Sequence, residues 1–139
     1  MPYVLDTDTI TALQNLDPNV LARIQVLPRT DVFVTIVSYQ EQTIGRLNSL
    51  NRQLKQGSLI VAYQSLAQTL FFYRAANILA YDERAARIDD DLRVRLRRMG
   101  TFDRRIAAIT LANGHTLVTR NTVDFRGVPG LGLEDWMAS

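Results

Sequence analysis

The sequence predicts an α/β fold in which a mainly parallel sheet is covered by helices on both faces. The segment VFVTIV at 32–37 is β-branched and almost continuously apolar, as an interior parallel strand buried on both faces should be. Short apolar runs of this kind alternate along the chain with longer stretches whose apolar residues recur at three- and four-residue intervals. The 139 residues are 47% hydrophobic, enough for one sizeable core, so residues 1–139 are read as a single domain.

Tyr3 to Leu5 is a short apolar run stopped by Asp6, Thr7 and Asp8, as where a buried strand emerges into a polar loop. Asp17 before Pro18 reads as an N-cap with proline at the first helical position, opening a helix to about Leu27. After the strand Val32 to Val37, Ser38 and Glu41 have capping-box spacing and start a helix running towards Leu54. Lys55, Gln56, Gly57 and Ser58 mark a break. Leu59, Ile60, Tyr63, Leu66, Ala67, Leu70 and Phe71 then form the broad apolar stripe of a helix to about Arg74. Ile78 to Tyr81 reads as a third short strand ending at Asp82. An amphipathic helix follows, with Ala85, Ala86, Ile88 and Leu92 towards the core, and Gly100 ends it. Thr101 caps the next helix, which packs through Ile106, Ala107, Ile109, Thr110 and Leu111 and stops at Asn113 and Gly114. Thr116 to Thr119 is a fourth strand, followed by a polar loop and the irregular tail RGVPGLGLEDWM. Tyr63, Phe71, Phe72 and Tyr73 fit a core or a protein interface better than a base-stacking platform, because no basic-aromatic alternation accompanies them. Trp136 anchors the tail, and His115, at the start of a strand, reads as structural.

Charge is nearly balanced: 16 Lys and Arg against 14 Asp and Glu, a formal +2, which by itself selects no nucleic-acid partner. Every basic residue except Lys55 is arginine, and eight of the 16 lie between Arg84 and Arg105. That cluster suits phosphate contacts, or equally a solvated helix face paired with Asp89, Asp90 and Asp91. The absence of cysteine excludes disulfides and thiolate metal sites, and the single histidine excludes a multi-histidine zinc site within one chain. Neither a Walker motif nor GxGxxG is present. The opening MPYVLDTD has no basic region leading into an apolar segment, so a soluble cytoplasmic protein is expected.

Loops at the carboxyl ends of parallel strands usually carry the chemistry of such sheets. Asp6 follows the first strand, Glu41 the second, Asp124 the last, and Asp103 begins a late helix, so all four are candidates for one sheet edge. Their hard oxygen donors suit Mg²⁺ or Mn²⁺, whose bound water becomes a better nucleophile towards a phosphodiester. Asp6, Glu41 and Asp103 are the main metal-ligand candidates, with Asp124 completing the site directly or through water. Each has a structural alternative: Glu41 reciprocating the Ser38 cap, Asp103 favouring a helix N-terminus, Asp6 stabilising a loop, Asp124 shaping a turn. Asp8 is read as a cap for a segment beginning at Thr9. Thr7, Ser38, Thr119 and Asn121 are candidates to orient carboxylates or water, and Arg120 to meet a substrate phosphate.

These segments together resemble PIN-domain endoribonucleases, specifically the VapC-like toxins of type II toxin-antitoxin systems, over nearly the whole chain. YVLDTDTI is similar to the family's first strand, whose catalytic aspartate maps to Asp6. VTIVSYQEQTIG places the next acid at Glu41, and MGTFDRRIAA places the third at Asp103. HTLVTRNTVDFRGVPGLGLEDW resembles the closing segment and is the most specific match. Two positions depart from the pattern: Asp8 stands where many relatives have asparagine, and Asn121 where many PIN domains have aspartate, leaving Asp124 as the nearby acid. The resemblance implies a three-layer α/β/α sandwich and Mg²⁺-dependent (or Mn²⁺-dependent) cleavage of transfer RNA or another structured RNA. It also implies inhibition by a cognate VapB-like antitoxin, and a homodimer; Leu47, Leu50, Leu59, Tyr63 and Leu66 could contribute to subunit or antitoxin surfaces, or equally remain internal. The competing reading is a catalytically silent PIN-like interaction module.

Overall fold

A computed structural model describes residues 2–52 and 56–138. Leu54 and Lys55, at the expected helix end and break, lie outside the described residues. The chain runs β1 (Tyr3–Leu5), α1 (Thr7–Gln14), α2 (Pro18–Gln25), a 3-10 turn at Arg29–Asp31, β2 (Val32–Thr35), α3 (Ile36–Arg52) and α4 (Gln56–Ala75). It continues β3 (Ile78–Leu79), α5 (Glu83–Arg95), α6 (Thr101–Ala112), β4 (Thr116–Val118), α7 (Thr122–Phe125) and β5 (Gly132–Glu134). The five strands form one sheet in the order β3-β2-β1-β4-β5, with every pairing parallel. Tyr3 lies opposite Val32 on one side and Thr116 on the other, so the first strand of the sequence is the middle strand of the sheet.

Successive strand residues point to opposite faces, and two cores follow from that alternation. Val4 and Leu117 project into one, packed against Leu92, Ile106 and Ile109 from α5 and α6. Leu5, Val34 and Val118 project into the other with Ile10, Val20 and Tyr73 from α1, α2 and α4. In α6, Ile106, Ala107, Ala108 and Ile109 are all fully buried, which explains why the helix shows small residues where a surface helix would show charges.

Several boundaries differ from those read in the sequence, each for a local reason. The polar segment after β1 is a helix, because the Asp6 side chain accepts from the Thr9 backbone N–H at 2.9 Å and caps α1. Asp8 is therefore in the first turn and is not the cap. The second strand stops at Thr35, whose hydroxyl accepts from the Ser38 backbone N–H at 3.1 Å, so α3 starts before Ser38 and the Ser38/Glu41 capping box does not form. The third strand is two residues long, α5 ends at Arg95, and Gly100 rather than Thr101 is the N-cap residue of α6. The apparently irregular tail holds α7 and β5. Gly132 starts β5 because a Cβ there would meet the Thr116 hydroxyl at 3.2 Å across the ladder. Asp17 caps α2 as expected, accepting from Asn19 and Val20 N–H at 2.9 and 3.1 Å.

Trp136 is buried edge-on against Tyr3, with the Arg23 guanidinium over its ring, and fastens the tail to β1 and α2. His115 stacks on Phe33 just ahead of β4, at the end of the sheet opposite the acids. Tyr73 belongs to the core, whereas Tyr63 and Phe71 are exposed. No helix among the described residues is long and apolar enough to cross a membrane.

Candidate active site

The β1 ladder continues one residue beyond the strand, with the Asp6 N–H donating to the Val118 carbonyl at 3.0 Å. This fixes Asp6 at the carboxyl edge of the two central strands, where it is 4% exposed. Burial pushes its carboxyl above the usual range, while hydrogen bonds from Thr119 and Thr9 pull it back down.

Glu41 lies one turn into α3 and reaches the same edge. The Thr7 hydroxyl donates to Glu41 Oε1 at 2.6 Å and lies 2.9 Å from the Ser38 hydroxyl. With Glu41 ionised, the Thr7 proton is committed to it, so Ser38 must donate to Thr7. Ser38 itself is buried, its backbone held by Thr35. Two hydroxyls predicted as supporting groups thus orient Glu41 in series. Burial raises the Glu41 carboxyl, the Thr7 bond lowers it, and the charges of Asp8 and Asp6 raise it further.

Asp103 is in the first turn of α6, where the helix dipole favours a negative charge. Even so its carboxyl is pushed up to about 6, first by burial and then by Glu41, Asp6, Asp124 and Asp8. Acids separated by up to 118 positions in sequence therefore lie within electrostatic reach at one sheet edge. Asp124 is exposed on α7, the outermost of the group.

The loop after β4 completes the edge. The Thr119 hydroxyl accepts from the Asn121 N–H at 3.0 Å, and the Asn121 amide approaches Asp8 Oδ2 at 3.4 Å. Asp8, taken from sequence as a cap, instead contributes charge that Asp6, Glu41 and Asp103 all feel. Arg120 is exposed on this loop and makes no ion pair among the described residues. Thr35 and Thr9 were missed in the sequence: Thr9 is buried and donates to the Val118 carbonyl at 3.2 Å, tying α1 to β4. Threonine immediately before or after a strand-to-helix junction is the signal that could have found both.

No family model matches the chain. It is 27% identical to the tRNA(fMet)-specific endonuclease VapC of Salmonella typhimurium, covering 98% of each protein. It is 29% identical to ribonuclease VapC1 of Rickettsia felis, over 94% of this chain and 93% of that protein. A chain in the crystal structure of DNA-bound VapBC from Salmonella typhimurium superimposes with a TM-score of 0.78 at 25% identity, covering 98% of both. The chain is VapC-like, with the PIN-domain fold.

The acids of this VapC-like chain suit a small hard cation in their chemistry: all are oxygen donors, and their mutual repulsion is relieved by no arginine or lysine among the described residues. Among the described residues, no three of them are close enough together to enclose an ion by direct contact alone. That geometry is compatible with Mg²⁺, which keeps several waters and takes only one or two carboxylates directly. The arginine-rich segment serves structure more than the site. Arg93 pairs with Asp90 at 3.5 Å and Arg95 with Asp91 at 3.2 Å on the exposed face of α5. Arg104 is buried against Asp89.

Proposed function

We propose that the chain is a Mg²⁺-dependent (or Mn²⁺-dependent) endoribonuclease toxin that hydrolyses RNA phosphodiester bonds and is inhibited by a cognate antitoxin. The observation that supports it best is the grouping of Asp6, Glu41 and Asp103 at the carboxyl edge of the central strands, where the charges of Asp6 and Glu41 raise the Asp103 carboxyl and that of Asp6 raises Glu41. The names of two relatives, a tRNA-specific endonuclease and a ribonuclease, support RNA, and transfer RNA first, as the substrate class. The similar chain in a VapBC complex supports a VapB-like protein as the partner. A homodimer acting in the cytoplasm is part of the same reading.

Asp6, Glu41 and Asp103 would hold the ion, one or two of them directly and the rest through its bound waters, with Asp124 also reaching it through water. When bound, such an ion would lower the pKa of a coordinated water and offset negative charge on the phosphoryl oxygens; hydrolysis puts the water's oxygen on phosphorus, breaks one P–O bond and leaves a proton on the departing ribose oxygen. Thr7, backed by Ser38, holds Glu41 in one rotamer, and Thr119 and Thr9 hold Asp6. Arg120, exposed on the loop after β4 and without an ion pair among the described residues, would supply a contact for a flanking phosphate. A basic side chain from an antitoxin entering this acidic edge would compete with both metal and RNA.

The test is to incubate purified, antitoxin-free protein with total cellular RNA, with Mg²⁺ or with chelator, beside Asp6→Asn and Asp103→Asn, and to map new ends. Discrete cleavage that needs the metal and both carboxylates is the expected result. No cleavage by folded wild type in Mg²⁺ or Mn²⁺ would instead make the chain a silent interaction module.

A further inference from the structure

Beyond the acids, α1, α3 and α4 enclose a pocket of about 740 Å³ walled by Thr11, Gln14, Asn15, Arg46, Gln68 and Phe71. Helices α1 and α3, which carry Thr7 and Glu41 at the acidic edge, also supply Thr11, Gln14 and Arg46 to its walls. Helices α1 and α3 run side by side, joined first by Thr7 to Ser38 and Glu41. One turn further, Gln42 donates to the Thr11 hydroxyl at 3.1 Å, and beyond it Gln42 and Gln14 exchange amide hydrogen bonds at 3.1 and 3.0 Å. Thr7 to Gln14 spans roughly 10 Å along a helix axis, so a strand with a phosphate at the acids would have its next nucleotides at this pocket.

Some of the lining is held in place and some is free. Gln42 is buried, and its amide oxygen also accepts from the Tyr73 hydroxyl at 2.9 Å. Arg46 Nε donates to the buried Thr69 hydroxyl at 3.0 Å, and that hydroxyl is itself anchored on the Ser65 carbonyl. The guanidinium is thereby aimed while its two terminal nitrogens have no carboxylate partner among the described residues. The side chains of Asn15 and Gln68 make no hydrogen bond among the described residues, and no acid is among the pocket's walls. Phe71 is 60% exposed, an unusual position for a large aromatic ring.

A free guanidinium, unpaired amides and an open aromatic face match the three parts of a nucleotide. Arginine takes phosphate oxygens, amides both donate to and accept from a base edge, and an aromatic ring stacks under a base. We propose that this pocket is a subsite for a nucleotide of a single-stranded RNA segment, with Arg46 on the phosphate, Phe71 stacked on the base, and Asn15 and Gln68 reading its edge. The proposal rests on the RNA-cleaving reading of the acids and extends it from how RNA is cut to how it is selected.

Binding of labelled single-stranded oligoribonucleotides to the uncleaving Asp103→Asn protein, followed by fluorescence anisotropy, tests the subsite without depending on chemistry. Adding Phe71→Ala should weaken binding about ten-fold or more, and Phe71→Trp should restore it. Arg46→Gln should weaken binding and make its salt dependence shallower by roughly one released counterion, whereas Arg46→Lys should keep the salt slope. Circular dichroism confirms the fold of each variant. Unchanged affinity and salt slope in Phe71→Ala and Arg46→Gln would overturn the subsite. So would unchanged RNA binding together with lost binding to a VapB-like partner, which would assign the pocket to a protein. The nuclease reading falls separately, if wild type leaves total RNA intact while these variants still alter binding.

Discussion

Asp103 works against the fold in which it sits. Burial and then Glu41, Asp6, Asp124 and Asp8 lift its carboxyl from 3.8 to about 6, so the native state holds this proton more tightly than the unfolded chain does. The group therefore costs nothing below about pH 4; the cost grows as pH rises towards 6 and is constant above. Asp103→Asn should raise the melting temperature in chelator at pH 7.5 by a few degrees, about 1 kcal/mol once solvent screening at a partly exposed group is allowed for. The gain should vanish at pH 4, and calorimetry at the two pH values decides it. In millimolar Mg²⁺ the wild type should gain more than the variant, because a ligand that binds only the native state stabilises it by mass action. Asp6→Asn retains a residue able to cap α1, so its expected loss of cleavage, at least 100-fold, can be read apart from folding. Thr7→Val removes the bond to Glu41 and should cost cleavage roughly ten-fold with near-normal stability, while Thr7→Ser should recover most of it; end-labelled RNA and calorimetry give the two readouts. What the sequence could not reveal at this scale is Asp8. In LDTD two aspartates compete to cap the same turn, and only the hydrogen bond from Asp6 to β4 decides between them.

Helices α5 and α6 are joined by a buried ion pair that supports the fold in the opposite sense. Asp89 accepts from Arg104, lies 3.7 Å from Arg105, and receives the Tyr81 hydroxyl at 2.6 Å. Burial alone would raise its carboxyl, but the bonds from Tyr81 and Arg104 and the two arginine charges outweigh that and leave it below the usual range. Its stabilisation is present above the unfolded pKa and is lost as pH falls through the lower native one. Asp89→Ala would leave Arg104 buried and unpaired, and should cost about 3–5 kcal/mol in urea denaturation at neutral pH. The sequence marked Asp89 as one of three acids able to pair with arginines, yet nothing in DDD says which one points inward; the packing of α6 selects it. Helix starts were legible where a cap stood beside an unambiguous signal, as at Asp17-Pro18. They were misplaced where threonine offered a cap a few residues before serine, as at Thr35 and Ser38.

At the scale of the molecule, the α/β class was readable because β2 and the helical stripes carry their periods locally, whereas β5 was not. GLGLEDW has the composition of a loop, and only the ladder from β4 makes a strand of three of its residues. Ile44 and Leu47 on α3 and Ile60 and Val61 on α4 are large apolar side chains left exposed, and the homodimer reading puts the subunit contact on this face. Sedimentation of the purified chain should give about twice its 15.7 kDa, with Val61→Asp shifting it towards monomer; a wild-type monomer would leave that face to the antitoxin. The strand order has a further consequence, in time. Because β1 lies between β2 and β4, Asp6 leaves the ribosome early but has no finished surroundings until residues 116–134 follow it. At roughly 5–20 residues per second, several seconds separate the synthesis of Asp6 from that of β4 and β5, and through them the acids have no assembled edge to share.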